Sequence, residues 1–268
     1  MSLLTLLFFI LTSLAQDYPA EIIWKTGQIL AVSQREAEPS TVIFEFVTGS
    51  RYGHVGLVII EDGTPMVYEA THPHVKKVTL KDFFSKVSTN TSNQKEFTLL
   101  EPAMDLEPQE EFMLREYAQK QLDQKTPYNY NGARTPGRLN CSEFVHESFK
   151  AAGLPQLGYA QEARELNFEA LGGRLKNLLG KKGIDPDALI ISPYSVVNSP
   201  WMNRSYSTLP YQKVLSDKEL YEGWKASQSY KNFLDRFSIT EDYFQEIEKS
   251  LSSVPKAQAP QSCNFYFM

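Results

Sequence analysis

HVGLVIIEDGTPMVYEA, residues 54–70, is a pair of apolar, β-branched runs joined by Asp62-Gly63. Asp-Gly between two such runs is a strong hairpin signal, because both turn residues must adopt positive φ. A two-residue turn pairs Glu61 with Thr64, and the register then sets His54 opposite position 71 and Glu69 opposite Gly56. Cross-strand partners and residues two apart share a sheet face. His54 and Glu69 therefore lie diagonally on one side, about 7 Å apart at the backbone, a gap their side chains can close. A carboxylate so placed can orient an imidazole, which is what a general base needs. Two plainer readings stand beside this one: His54 as a satisfied core histidine, and Glu69 as a solvent-facing charge on an edge strand.

Working outward, Ile22 to Trp24 and Gln28 to Val32 read as short strands around Thr26-Gly27. A helix is expected after Pro39, capped by Ser40, with Val42, Ile43, Phe46 and Val47 at helical spacing and Gly49 as its stop. Downstream come a short helix over 81–87, a strand over 96–100 and a polar amphipathic helix over 107–124 with Phe112 and Leu122 among its apolar positions. A loop over 125–140 follows. From Ser142, Val145, Phe149 and Ala152 mark another helix, which Gly153 ends. Residues 160–183 read as a helical insertion, 190–200 as turn-rich, 216–250 as helical and the last 15 or so residues as loosely ordered. Helix and strand are mixed without a repeat, an α+β pattern.

Cys141, placed just before a helix start, is exposed to unpaired backbone N–H groups and the positive end of the helix dipole, both of which favour a thiolate. The same amides could hold an oxyanion. A thiolate needs an acid/base partner, and the chain has four histidines. His146, five residues along the same helix, reads as a solvated helix residue. His72 and His74 flank Pro73 as an H-x-H pair that reads as surface loop, since no further ligand lies at metal spacing; no metal and no cofactor are expected. His54 remains as the partner.

The first fifteen residues, MSLLTLLFFILTSLA, carry no charge and form an apolar run too short for the roughly 20 residues of a membrane span. Ser13-Leu14-Ala15 suits signal cleavage after Ala15, which makes the protein exported, periplasmic or secreted. The missing basic residue ahead of the run keeps an uncleaved N-terminal anchor as the other reading. The 42% hydrophobic content is that of a globular protein, and the net charge of −5 argues against a nucleic-acid partner. With two cysteines in an exported chain, a Cys141–Cys263 bridge is the competing reading of Cys141.

Five stretches carry a family likeness: TGQILAVS (26–33), VTGSRYGHVGLVI (47–59), MVYEA (66–70), LNCSEFVHESFKAAG (139–153) and ISPYSVVNSP (191–200). They resemble the permuted papain-like amidases, the YiiX/YebB-like circularly permuted branch of the NlpC-type cysteine peptidases. The order His, Glu, Cys is that of the permuted branch. Gln28 departs from it, since an acidic residue is common there.

The resemblance implies an α+β fold with an antiparallel sheet or half-barrel packed on the nucleophile helix; the expected organisation is a signal over 1–15, a hydrolase domain over 16–215 and, matching nothing in the family, a helical extension and tail over 216–268. It assigns Cys141 as nucleophile, His54 as base and Glu69 as orienting group, for a cysteine hydrolase acting on an amide or ester through an acyl-enzyme. Tyr52, Tyr128, Tyr130 and Ser142 are expected at the substrate. A cell-wall peptide or an acylated lipid is the expected substrate, with association with the cell envelope. The alternative is a non-catalytic lipid- or peptide-binding protein of the same fold.

Overall fold

The structure, a computed structural model, describes residues 19–33, 48, 50–87, 89, 94–129, 134–162 and 188–209. The expected signal, nearly all of the expected 40–49 helix, the 160–183 insertion beyond 162, the 216–250 helices, Tyr130 and Cys263 lie outside those residues.

Strands β1 (Ile29–Val32), β2 (His54–Glu61), β3 (Thr64–Ala70) and β4 (Val75–Thr79) are followed by helix α1 (Leu80–Phe84), strand β5 (Phe97–Pro102) and helices α2 (Pro108–Asp123) and α3 (Cys141–Ala151). Strands β6 (Ala160–Glu162) and β7 (Leu189–Ile191), helix α4 (Pro193–Val197) and strand β8 (Met202–Ser207) complete the described elements. One antiparallel six-stranded sheet runs β4-β3-β2-β1-β5-β8, and β6 pairs with β7 apart from it. The fold is α+β.

The β2–β3 hairpin has the register its turn chemistry demands. Asp62 and Gly63 sit at φ 47° and 77°, Glu61 pairs with Thr64, and Leu57 pairs with Tyr68. The apolar run of β2 does not alternate with polar residues because both faces of the sheet are covered. Ile29, Ala31, Val55, Leu57, Ile59, Tyr68 and Ala70 face a core completed by Leu114 of α2 and by Phe144, Val145 and Phe149 of α3. Leu30, Val32, Val58 and Val67 face the opposite core, completed by Leu80, Phe83 and Phe84 of α1. Burying each of those phenylalanines contributes about 1.5–3 kcal/mol. Gly56 leaves the space Phe83 fills: a Cβ there would lie 2.6 Å from Val67 Cγ1 and 3.0 Å from Phe83 Cε2.

Several expectations need correction. Residues 22–24 form no ladder; the segment is held instead by the buried Gln28 side chain, which donates to the Ile23 carbonyl at 3.0 Å and accepts from Lys25 N–H at 2.9 Å. Gln28 also donates to Glu101 at 2.9 Å. Strand β4 has no counterpart in the sequence reading, because Lys76 and Lys77 interrupt its apolar pattern, although lysines on an edge strand are a common guard against aggregation. Its presence makes β3 interior, so Glu69 is not an edge charge. The polar edge strand β8 was likewise missed. Residues 160–162 are strand, and within 190–200 the chain forms the end of β7 and helix α4, capped by Ser192. On α2, Phe112 is exposed while Leu114, Ala118 and Gln121 are buried.

Candidate active site

Helix α3 begins at Cys141 itself, one residue earlier than the sequence suggests. Asn140 is its cap: Asn140 Oδ1 accepts from Glu143 N–H at 2.8 Å, and Glu143 Oε2 accepts from Asn140 N–H at 2.8 Å. This reciprocal arrangement satisfies two otherwise orphaned donors and holds the residue preceding Cys141 in place. Asn129 Nδ2 adds a third bond to Glu143 Oε2 at 3.2 Å. Burial raises the Glu143 carboxyl above the usual range, against the opposing pull of the Asn140 and Asn129 bonds.

The helix delivers Cys141 to the start of β2. Cys141 is 2% exposed and free of any disulfide. Burial alone would push the thiol up, but the charge of His54, hydrogen bonds from the His54 ring and Val55 N–H, and the Ser142 hydroxyl together hold it below the ordinary cysteine value. Ser142 Oγ lies 3.9 Å from the sulfur. His54 Nε2 is hydrogen-bonded to Glu69 Oε2 at 2.8 Å, with side chains 1% and 0% exposed. With Nε2 on the carboxylate, the other ring nitrogen is the one that meets the sulfur, and the carboxylate as an acceptor keeps the proton on Nε2 in the neutral ring. The ring is flanked by Phe83, centroid to centroid 6.1 Å. Cys141, His54 and Glu69 thus form one buried hydrogen-bonded chain. Such a chain can supply a nucleophile, a proton carrier and an orienting acceptor.

The remaining candidates fall into place around it. Tyr52 and Tyr128 are both buried in the apolar cluster that contains Cys141. The Tyr52 hydroxyl is shared with Thr98 Oγ1 at 3.0 Å. His146 is not solvated: it is buried, with Nδ1 donating to the Leu157 carbonyl at 2.7 Å. The chain beyond Gly153 folds back with Leu154 and Leu157 buried, a tertiary event that helix periodicity does not report. His74 Nδ1 donates to the Val75 carbonyl at 2.8 Å. The sequence reading assigns no role to Asn140 or Glu143. The signal for their role was readable, since Asn followed three residues later by Glu is a capping-box spacing.

An open cleft of about 670 Å³ lies along the other flank of α3, lined among others by Lys120, Arg134, Arg138, Glu143, Glu147 and Lys150. Cys141, His54 and Glu69 do not line it. Arg134 and Lys150 on that flank are about half exposed, whereas Glu143 is buried.

Comparison with known proteins bears on the family and the fold. The chain is 25% identical over 195 residues to the uncharacterized protein YiiX of Escherichia coli strain K12, covering 71% of this chain and 91% of that one. A crystal structure described as metalloprotein yiiX from Escherichia coli O157:H7 superposes with a TM-score of 0.59 at 22% identity, covering 69% of this chain and 98% of that chain, which is a likeness of fold. The model of the family described as "Permuted papain-like amidase enzyme, YaeF/YiiX, C92 family" matches residues 24–217, a span that takes in His54, Glu69 and Cys141. The chain therefore belongs to the permuted papain-like amidases and is a cysteine hydrolase of that family.

Proposed function

We propose that Cys141 is the nucleophile, His54 its acid/base partner and Glu69 the group that orients His54, and that the protein cleaves an amide or ester through a thioacyl intermediate. The observation that carries this reading is the buried hydrogen-bonded chain from Cys141 through His54 to Glu69, with the thiol held below its ordinary value. The Cys141 thiolate attacks the carbonyl carbon, and the His54 imidazolium protonates the departing amine or alcohol. His54 then takes a proton from the water that hydrolyses the thioester. Glu69 stabilises the imidazolium without itself being protonated.

Ser142 supports the sulfur, and Tyr52 and Tyr128 pack beside it as the wall against which substrate is held. The apolar leader MSLLTLLFFILTSLA supports export, with cleavage after Ala15. An exported enzyme of this chemistry meets cell-wall peptides and acylated envelope lipids, and one of these is the proposed substrate class. The metalloprotein description belongs to the Escherichia coli structure. Among the described residues here no three His, Cys, Asp or Glu side chains converge as a metal's donor set, and no step is routed through a metal.

The test is the rate of Cys141 alkylation by iodoacetamide against pH, in the native protein and in His54→Ala, followed on the modified peptide by mass spectrometry. A thiolate that persists well below the free-cysteine pKa of about 8.5, and is lost with His54, is the expected result. Alkylation like an ordinary thiol in both proteins would defeat the assignment.

A further inference from the structure

The cap of helix α3 does more than a cap requires. An N-cap needs a side-chain oxygen, which Asp, Ser or Thr supplies as well as Asn. At Asn140 that need is met by Oδ1, which accepts from Glu143 N–H at 2.8 Å. The backbone N–H of Asn140 is met by Glu143 Oε2 at 2.8 Å. The amide nitrogen Nδ2 is buried and has no hydrogen-bond partner among the described residues, in a residue only 1% exposed. A buried amide donor left unmade is costly, and native proteins rarely keep one without a use for it.

The place of that donor is informative. Because Oδ1 is tied to the first turn, the amide group lies over the mouth of the helix that Cys141 opens. Cys141 is the first helical residue, so its own backbone N–H has no acceptor within the helix. Two N–H donors on consecutive residues, one from a side chain and one from the backbone, therefore sit at the end of the helix that presents the sulfur. Asn140 and Cys141 are both buried, at 1% and 2% exposed, so solvent does not meet the unspent donors.

We infer that Asn140 is a catalytic residue: its Nδ2, together with the backbone N–H of Cys141, donates to the oxygen of the carbonyl that Cys141 attacks. The inference rests on the reading of Cys141 as nucleophile. In the step, a sulfur lone pair forms the S–C bond and the C=O π pair moves onto oxygen, which accepts hydrogen bonds from Asn140 and Cys141. When the C=O bond re-forms, the bond to the amine or alcohol breaks, and that group leaves with the proton carried by His54. Asn140 neither gains nor loses a proton. The donors are fixed before reaction by the capping bonds, the condition under which such groups lower a barrier most.

The experiment separates oxyanion stabilisation from helix capping and from thiolate formation. Asn140→Ser and Asn140→Asp both keep a capping oxygen and both remove the amide donor. Each full-length variant is compared with wild type in three measurements: acylation by 4-nitrophenyl acetate, alkylation by iodoacetamide, and thermal unfolding. Alkylation displaces iodide at a saturated carbon and forms no oxyanion, so it reads the thiolate alone. For Asn140→Ser we expect acylation slower by about 10²–10³-fold, with the alkylation profile and the unfolding midpoint unchanged. Asn140→Asp, which sets a carboxylate where the oxyanion forms, should acylate no faster than Asn140→Ser.

Acylation by Asn140→Ser at the wild-type rate overturns the inference. So does a parallel loss of acylation and alkylation, which would place Asn140 behind the thiolate and away from the carbonyl. If Asn140→Ser does not fold, Asn140→Asp decides by the same comparison. A wild-type Cys141 that neither acylates nor shows a lowered thiol overturns the nucleophile assignment itself, a result distinguishable from failure at Asn140 alone.

Discussion

Helix α3 has a sealed end and an open flank, and the two carry similar charges to different effect. At the sealed end His54 and Glu69 are bonded at 2.8 Å with side chains 1% and 0% exposed. On the open flank Glu147 pairs with Arg134 and, at 3.6 Å, with Lys150, whose side chains are 47% and 52% exposed. Water and salt screen the flank, and long flexible side chains must be ordered to hold those pairs, so they contribute little. At the sealed end nothing screens the pair, and either partner alone would be a buried polar group without its complement. The difference teaches that the strength of a charge pair here follows from exclusion of water around it, and the number of charges nearby matters far less.

The comparison breaks most sharply at Glu69. Glu69→Ala strands His54 in the interior and should destabilise the protein by about 3–5 kcal/mol, read from urea unfolding, while abolishing the acidic shift of Cys141 alkylation. A loss as small as that of a surface pair would mean that the buried chain is not held as described.

Glu143 stands between the two regions, buried beneath the Asn140 cap of α3 yet lining the open cleft. Its carboxyl is raised in the folded state, so folding favours the protonated form. The stability it contributes is full below its unfolded pKa of about 4.3 and is lost as pH rises through the higher folded value. Glu143→Gln, which keeps acceptors for Asn140 and Asn129, should therefore gain on wild type as pH rises across that window. Unfolding midpoints of the two proteins measured from pH 4 to 7 check the sign, and a constant difference would sink it.

The smallest effect is expected on the flank. Arg134→Ala should change stability by about 1 kcal/mol or less and leave Cys141 alkylation untouched, with the remaining difference shrinking in high salt. A large loss would assign the cleft a structural weight that its exposure argues against.

Much of this arrangement is legible in the chain before it folds. Asp62-Gly63 between two β-branched runs dictates a two-residue turn, and the period of two in a strand then puts His54 and Glu69 on one face. Cys141 between a polar cap and an amphipathic run announces a helix start. What escaped the reading depends on partners distant in sequence. Lys76 and Lys77 disguise β4, which is a strand because Glu69 and Tyr68 supply its pairing edge. His146 looks solvated on its own helix and is buried, bonded to the Leu157 carbonyl of the segment beyond Gly153. Gln28 looks like a strand residue and is a hub of side-chain bonds to Ile23, Lys25 and Glu101.

The sequence by itself determined the hairpin, its register, a helix start beside the cysteine and the order His, Glu, Cys, because turn chemistry, strand period and helix capping act over a few neighbouring residues. The tertiary structure alone decided that the sulfur meets His54, that the thiol is held low against its burial, and that one amide hydrogen-bond donor beside it is left unspent. Those outcomes depend on packing α3 against β2, 87 positions apart from Cys141 to His54. Desolvation and hydrogen bonding at such a contact are set by which surfaces meet, and local sequence carries no record of that.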